Sequence, residues 1–122
     1  MAMERRTFLR GAAGLAASAA LPATGGGWLI GCYTRPWDRF DYRTALDGMA
    51  EAGYKYAGLM THAGKSRTVV SVETTPEEAA DIGGEVRKRG LTLVSVYGGD
   101  FGAARGMEAG IAGLRRLIDN CA

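Results

Sequence analysis

The sequence predicts an α/β protein built from repeated strand–helix units around a parallel sheet. Strand-like apolar patterns over Trp28–Tyr33, Tyr54–Leu59 and Leu91–Tyr97 alternate with amphipathic helical patterns. The first two helices each end at a glycine that a strand follows at once, and these glycines, Gly53 and Gly90, are 37 residues apart. Glycine at such a position suits the left-handed turn that ends a helix. A strand–helix unit repeated in this way is typical of a parallel sheet.

The first and third strand patterns are largely continuous apolar runs, which predicts strands covered on both faces. Both cysteines fall within apolar patterns: Cys32 lies in the first strand and Cys121 on the apolar stripe of the last helix. Because they are far apart in sequence and each suits a packed interior, we expect two buried free thiols.

The helices are predicted from their apolar spacing and their start signals. The first covers about Asp41–Ala52, and the second begins at Thr75, where Pro76 and Glu78 complete a capping-box pattern. The second helix contains two central glycines, Gly83-Gly84, each of which costs about 1 kcal/mol relative to alanine. Because glycine has no side chain, we expect these two residues to let the helix lie close to the sheet. The last helix carries an apolar stripe made of Ile111, Leu114, Leu117, Ile118 and Cys121.

The N-terminus has the parts of an export signal. Arg5-Arg6 is followed by Phe8-Leu9, Arg10 and the small apolar run Gly11–Ala20, which is too short for a membrane span. The segment resembles the twin-arginine signal. This resemblance implies a cleaved signal peptide over residues 1–23, a glycine linker over 24–27, and export to the periplasm or beyond with no stable membrane span. A basic amphipathic N-terminal helix is the alternative.

The charge balance changes once the signal is removed. The chain has 15 basic and 13 acidic residues, and the signal contains three of the arginines and one glutamate, which leaves twelve of each. A near-neutral mature chain gives no support for a nucleic-acid partner.

The two ends of the predicted sheet differ in their connections. Helix-to-strand turns are single glycines, whereas the strand-to-helix loops are long: Thr34–Phe40, Met60–Thr74 and Gly98–Gly106. Long loops in compact domains commonly carry function. Ligands of parallel α/β folds bind at the carboxyl ends of the strands, where these loops gather.

The segments "GCYTRPWDRFDYRTALDGMAEAGYKYAGLM" and "TTPEEAADIGGEVRKRGLTLVSVYGGD" resemble the opening of the xylose-isomerase-like TIM-barrel family of sugar phosphate isomerases and epimerases. The likeness extends over about residues 30–122. It implies that residues 28–122 are the first three (β/α) units of a TIM barrel. Because a complete barrel needs about 250 residues, we expect an N-terminal fragment that lacks the metal-binding strands; a complete small α/β domain is the alternative.

The resemblance also implies a function: an exported sugar (phosphate) isomerase or epimerase acting on a small carbohydrate. In that family a divalent metal (manganese, magnesium or zinc) is held by carboxylates and histidine from later strands. We therefore expect this chain to bind no metal and to be inactive alone. The alternatives are a non-catalytic exported carbohydrate-binding or interaction protein and an apurinic-site endonuclease. A single histidine gives the endonuclease little support.

Four residues near the predicted strand ends are candidates for substrate binding: His62, Tyr33, Trp37 and Tyr97. Imidazole can exchange hydrogen bonds with sugar hydroxyls, and aromatic rings can stack on a sugar ring. The alternatives are a solvated loop histidine and aromatic packing at the barrel rim.

The remaining loop residues carry weaker signals. Lys65 and Arg67 suit a phosphate or simply solvent, and Glu73 and Asp100 are single acids on separate loops. The segment "YGGDFGAARG" lacks the spacing of a phosphate-binding loop, so we interpret it as a loop with unusual backbone angles.

Overall fold

Strands and helices alternate along the part of the chain that the structure, a computed structural model, describes, which is residues 27–122. The predicted signal peptide and most of the glycine linker lie outside these described residues. The elements are β1 Gly31–Tyr33, α1 Tyr42–Glu51, β2 Tyr56–Leu59, α2 Pro76–Lys88, β3 Thr92–Val96 and α3 Met107–Cys121, with short 3-10 turns at Arg35–Trp37 and Ala103–Arg105.

The three strands form one parallel sheet in the order β1-β2-β3. Cys32 pairs with Ala57, and Ala57 pairs with Leu93. An irregularity follows Ala57, so that its neighbour Gly58 pairs with Ser95. The prediction of a mixed α/β fold with parallel strands in this order is confirmed.

The core lies between the helices and one face of the sheet. Leu46 and Met49 of α1 and Ala57 and Leu59 of β2 are completely buried, and Val86 of α2 is 1% exposed. Leu46, Met49 and Val86 belong to the helices, whose apolar spacing suits burial against the sheet. Removing a large side chain from such a core costs about 2–5 kcal/mol, so this face supplies much of the stability of the fold.

The other face of the sheet is open, so residues 27–122 do not by themselves supply the cover predicted for both faces of the strands. Tyr33 on β1 is 45% exposed, and Val94 on β3 is 50% exposed. Strand β1 is also shorter than predicted, because the strand begins at Gly31 while Trp28–Ile30 precede it with exposed side chains.

Side chains cap the starts of α1 and α2. The Asp41 carboxylate accepts a hydrogen bond of 2.9 Å from the Arg43 N–H. At α2 the Thr75 hydroxyl accepts from the Glu78 N–H at 3.2 Å, and the Thr75 N–H donates to the Glu78 carboxylate at 2.9 Å, which confirms the capping box. The glycines that follow α1 and α2, Gly53 and Gly90, have φ angles of 86° and 71°, as the left-handed turn requires.

The glycines inside the helices behave differently from the prediction. A Cβ at Gly84 would meet nothing within 4 Å, and one at Gly83 would meet only the Arg87 guanidinium, so α2 needs no glycine to approach the sheet. The close approach occurs at Gly113 of α3 instead. A Cβ there would overlap the carbonyl oxygen of Phe101.

Helix α3 is the least covered helix. Leu117 is buried, but Met107 is 83% exposed and Ile118 is 59% exposed. Both cysteines are free, as predicted; Cys32 is half-buried, whereas Cys121 is exposed, so the prediction that Cys121 is buried is wrong. No helix within residues 27–122 has the length and apolar character to cross a membrane.

An ion-pair cluster joins α1 to α2. Arg89 donates from Nε to the Asp47 carboxylate at 2.5 Å and from Nη1 to the Glu85 carboxylate at 2.6 Å. The hydrogen bond from Arg89 holds the pKa of Glu85 below its ordinary value. The bonds to Asp47 and then to Glu85 raise the pKa of Arg89.

Candidate functional site

A cleft of about 540 Å³ lies at the carboxyl ends of the three strands. We call it the strand-end cleft. All three long loops contribute to its lining, which confirms the prediction that they gather at the end of the sheet where the strands have their carboxyl ends. Its charged and aromatic lining residues are Arg35, Asp38, Arg67, Glu73, Tyr97 and Asp100.

The loop after β1 is held by Thr34, which is completely buried. Its hydroxyl accepts from the Met60 N–H at 2.9 Å, and its own N–H donates to the Gly58 carbonyl at 3.1 Å. A 3-10 turn follows, in which the Asp38 N–H donates to the Arg35 carbonyl at 3.1 Å. This turn positions the side chains of Arg35 and Asp38 at the cleft.

The loop after β2 folds back on itself. Thr61 and Thr68 form an isolated antiparallel bridge, and the His62 N–H donates to the Arg67 carbonyl at 3.0 Å. Further along, the Ser71 N–H donates to the Thr74 hydroxyl at 2.9 Å. The loop is therefore a hydrogen-bonded wall with a defined shape, one side of which faces the strand-end cleft.

The loop after β3 contains the unusual backbone angles predicted for it. Gly99, Gly102 and Gly106 have φ angles of 79°, 79° and 114°, and Phe101 has a φ of 53°. Such a φ is uncommon for a large side chain. The Asp100 carboxylate accepts from the Gly102 N–H at 3.2 Å, which orients this acid at the cleft.

The strand-end cleft offers charged groups that are free to bind a ligand. Within residues 27–122 none of the two arginines and three acids of the cleft forms an ion pair. The basic partner in every ion pair of that region is Arg43 or Arg89. Guanidinium groups can therefore donate, and carboxylates can accept, hydrogen bonds from one bound molecule.

Tyr97 is the predicted site residue that lines this cleft, and it is 49% exposed. Tyr33 lies instead on the open face of the sheet. Its hydroxyl donates to the Ser95 hydroxyl at 2.8 Å, and its ring covers Gly58, where a Cβ would come to 2.5 Å from ring atom Cε1.

Trp37 packs against helix α1 rather than lining the cleft. A Cβ at Gly48 would lie 3.1 Å from its Cζ2 atom, and the ring is in contact with the buried core. For this residue the structure matches the alternative of aromatic packing.

His62 faces a second cavity of about 370 Å³ on the far side of the loop, which we call the outer cavity. Its ring meets the Tyr42 ring edge-on, with the centroids 5.7 Å apart. Its Nδ1 atom is buried and has no hydrogen-bond partner among the described residues. Lys65 also lines the outer cavity, whereas Arg67 lines the strand-end cleft, so the structure divides this predicted pair.

Sequence reasoning missed Arg35 and Asp38, although both follow β1 directly in a long loop, which is the available signal. It treated Glu73 and Asp100 as isolated acids, and the structure brings them to the same cleft. These acids do not form a metal centre: in the described part of the chain no three His, Cys, Asp or Glu side chains come close enough together to hold a metal ion.

Comparison of the chain with protein-family models, with curated proteins and with solved structures finds no match. The function therefore has to be inferred from the chemistry of the cleft. A half-exposed aromatic ring, unpaired guanidinium groups and unpaired carboxylates suit a small polar ligand with many hydroxyl groups.

Proposed function

We propose that this chain binds a small carbohydrate in the strand-end cleft, as the opening part of an exported sugar isomerase or epimerase. The observation that carries the proposal is the convergence of all three strand-to-helix loops on one polar cleft. Ligand sites of parallel α/β proteins lie at this end of the sheet.

The lining of the cleft matches the chemistry of a sugar. Each sugar hydroxyl both donates and accepts a hydrogen bond, so a sugar needs donors and acceptors close together. Arg35 and Arg67 supply the donors, and Asp38, Glu73 and Asp100 supply the acceptors. The Tyr97 ring offers an apolar surface on which a sugar ring can stack.

The arrangement of the helices supports the barrel part of the proposal. A doubly wound fold has helices on both faces of its sheet, whereas a barrel has them outside only. Here the buried core lies on one face, and Tyr33 and Val94 remain exposed on the other. We propose that this open face is barrel interior, and that the apolar face of α3 packs against further (β/α) units.

The residues described here do not fit the divalent metal that the family resemblance implies, because no three His, Cys, Asp or Glu side chains among them come close enough together to hold a metal ion. We therefore assign binding and orientation of the sugar to this chain and no step of catalysis. A second candidate is a non-catalytic exported carbohydrate-binding protein on the same scaffold, which would use the same polar lining of the cleft.

Isothermal titration of the purified protein with xylose, glucose and fructose tests the proposal. We expect saturable binding that Arg67→Ala weakens about tenfold, since the guanidinium lines the cleft. Arg115→Ala is the matched control, because Arg115 is exposed and lies outside the cleft. Absence of binding for every sugar, or equal losses in both variants, would contradict the proposal. Turnover of a bound sugar by this chain with added manganese, magnesium or zinc would contradict the assignment of binding without catalysis.

A further inference from the structure

The strand-end cleft and the outer cavity lie on opposite sides of the loop that follows β2. Their volumes, about 540 and 370 Å³, both fall in the range of roughly 300–1,000 Å³ that small-molecule sites occupy. Four residues line both cavities: Ser66, Thr68, Ser71 and Glu73. The two spaces are therefore neighbours with a shared wall.

Small hydroxyl side chains form most of this wall, and hydroxyl protons remain free on it. The Ser66 and Thr68 oxygens are 3.3 Å apart, so their mutual hydrogen bond uses one of their two protons. The Ser71 hydroxyl accepts from the Glu73 N–H at 3.2 Å, which leaves its own proton to donate. The free protons can bond to a ligand that extends over this wall.

Two consecutive residues, Thr61 and His62, each place one polar group at a different cavity. Thr61 lines the strand-end cleft, and His62 lines the outer cavity. Thr61 Oγ1 and His62 Nδ1 are the buried side-chain polar atoms without a hydrogen-bond partner in the described region. Leaving such an atom without a partner is unfavourable. Rotation of the threonine about χ1, or a half-turn of the imidazole, turns the polar atom toward its cavity, where a ligand hydroxyl can bond to it.

We infer that the ligand is a sugar of at least two glycosidically linked units, not a monosaccharide; this inference rests on the proposed function. One unit occupies the strand-end cleft beside Tyr97. The linkage crosses the hydroxyl wall, and the second unit occupies the outer cavity beside His62 and Tyr42. The extra contacts made by the second unit favour the disaccharide over the monosaccharide.

Titration of the purified protein with matched pairs tests the inference: xylose against xylobiose, and glucose against cellobiose and maltose. We expect at least one disaccharide to bind about tenfold more tightly than its monosaccharide. His62→Ala should remove that gain and leave monosaccharide affinity unchanged, because His62 lies only in the outer cavity. Lys88→Ala, an exposed site on α2 away from both cavities, is the control.

His62 also provides a direct reading, since it is the only histidine of the chain and its ring protons give a unique NMR signal. The preferred disaccharide should shift this signal, and the monosaccharide should not. Equal affinity for monosaccharides and disaccharides, or an unmoved His62 signal at saturation with the disaccharide, overturns the inference while the proposed function stands. Failure of every sugar to bind overturns the proposed function itself.

Discussion

Alanine at Gly113 should destabilise the protein, although alanine is normally the better helix former. Gly113 lies inside α3 and faces the loop after β3. A Cβ at this position would overlap the Phe101 carbonyl oxygen and lie 3.0 Å from Val72 Cγ1. A backbone carbonyl cannot rotate away as a side chain can, so the helix or the loop must move.

The magnitude follows from two opposing terms. Replacing glycine by alanine in a helix interior gains about 1 kcal/mol, and overpacking of this kind costs about 1–3 kcal/mol. Because the obstacle is backbone, we take the upper part of that range. The free energy of unfolding should therefore fall by about 1–2 kcal/mol. With a urea slope of about 1 kcal/mol/M, the unfolding midpoint falls by about 1–2 M.

Gly84→Ala is the matched control, since Gly84 also lies inside a helix and its added Cβ would meet nothing within 4 Å. This variant should gain about 0.5–1 kcal/mol. Urea unfolding followed by far-UV circular dichroism measures both changes. If Gly113→Ala were as stable as Gly84→Ala, the close contact between α3 and the Phe101 loop would be wrong.

Three further predictions concern the cap, the ion pairs and the signal. Thr75→Ala should lower the free energy of unfolding by about 1 kcal/mol, because it removes the hydroxyl that caps α2; an unchanged urea midpoint would contradict the capping box. The pKa of Glu85 is lower in the folded protein than its ordinary value of 4.5. The stability that this shift provides is present above the unfolded pKa and is lost as pH falls through the folded pKa, so Glu85→Gln should make stability less pH-dependent in acid. An equally steep loss in that variant would be evidence against the Arg89 pairing. Replacing Arg5 and Arg6 by lysine in a reporter fusion should abolish twin-arginine export, and continued export by that route would show that the signal was misread.

The local chemistry of the fold was predictable from sequence because it depends on neighbouring residues. Thr75 and Glu78 form their capping box within one helical turn, and Gly53 and Gly90 adopt the backbone angles that few other residues tolerate. The parallel strand order also followed from the repeated unit. Errors arose where distant packing decides. Gly113, and not Gly84, meets another segment closely, and no periodic pattern distinguishes the two.

The candidate site was predictable in position and only partly in membership. Residues after parallel strands gather at one end of the sheet, and Tyr97, which follows β3, lines the strand-end cleft there. Side-chain direction within a loop depends on its hydrogen bonds, however. The bridge between Thr61 and Thr68 gives neighbouring residues opposite directions, so Thr61 lines the strand-end cleft and His62 the outer cavity. Nothing in the spacing of loop residues encodes that bridge.

The open face of the sheet is suited to burial in spite of its exposure. A tyrosine that is to be buried needs a partner for its hydroxyl, because an unsatisfied hydroxyl is costly in an apolar surrounding. The Tyr33 hydroxyl already donates to the Ser95 hydroxyl at 2.8 Å. The Tyr33 ring covers Gly58, which has no side chain to obstruct the ring. This face could therefore be covered by further strands without leaving the Tyr33 hydroxyl unpaired. A pairing of this kind is compatible with burial, and it accords with our proposal that the open face is barrel interior.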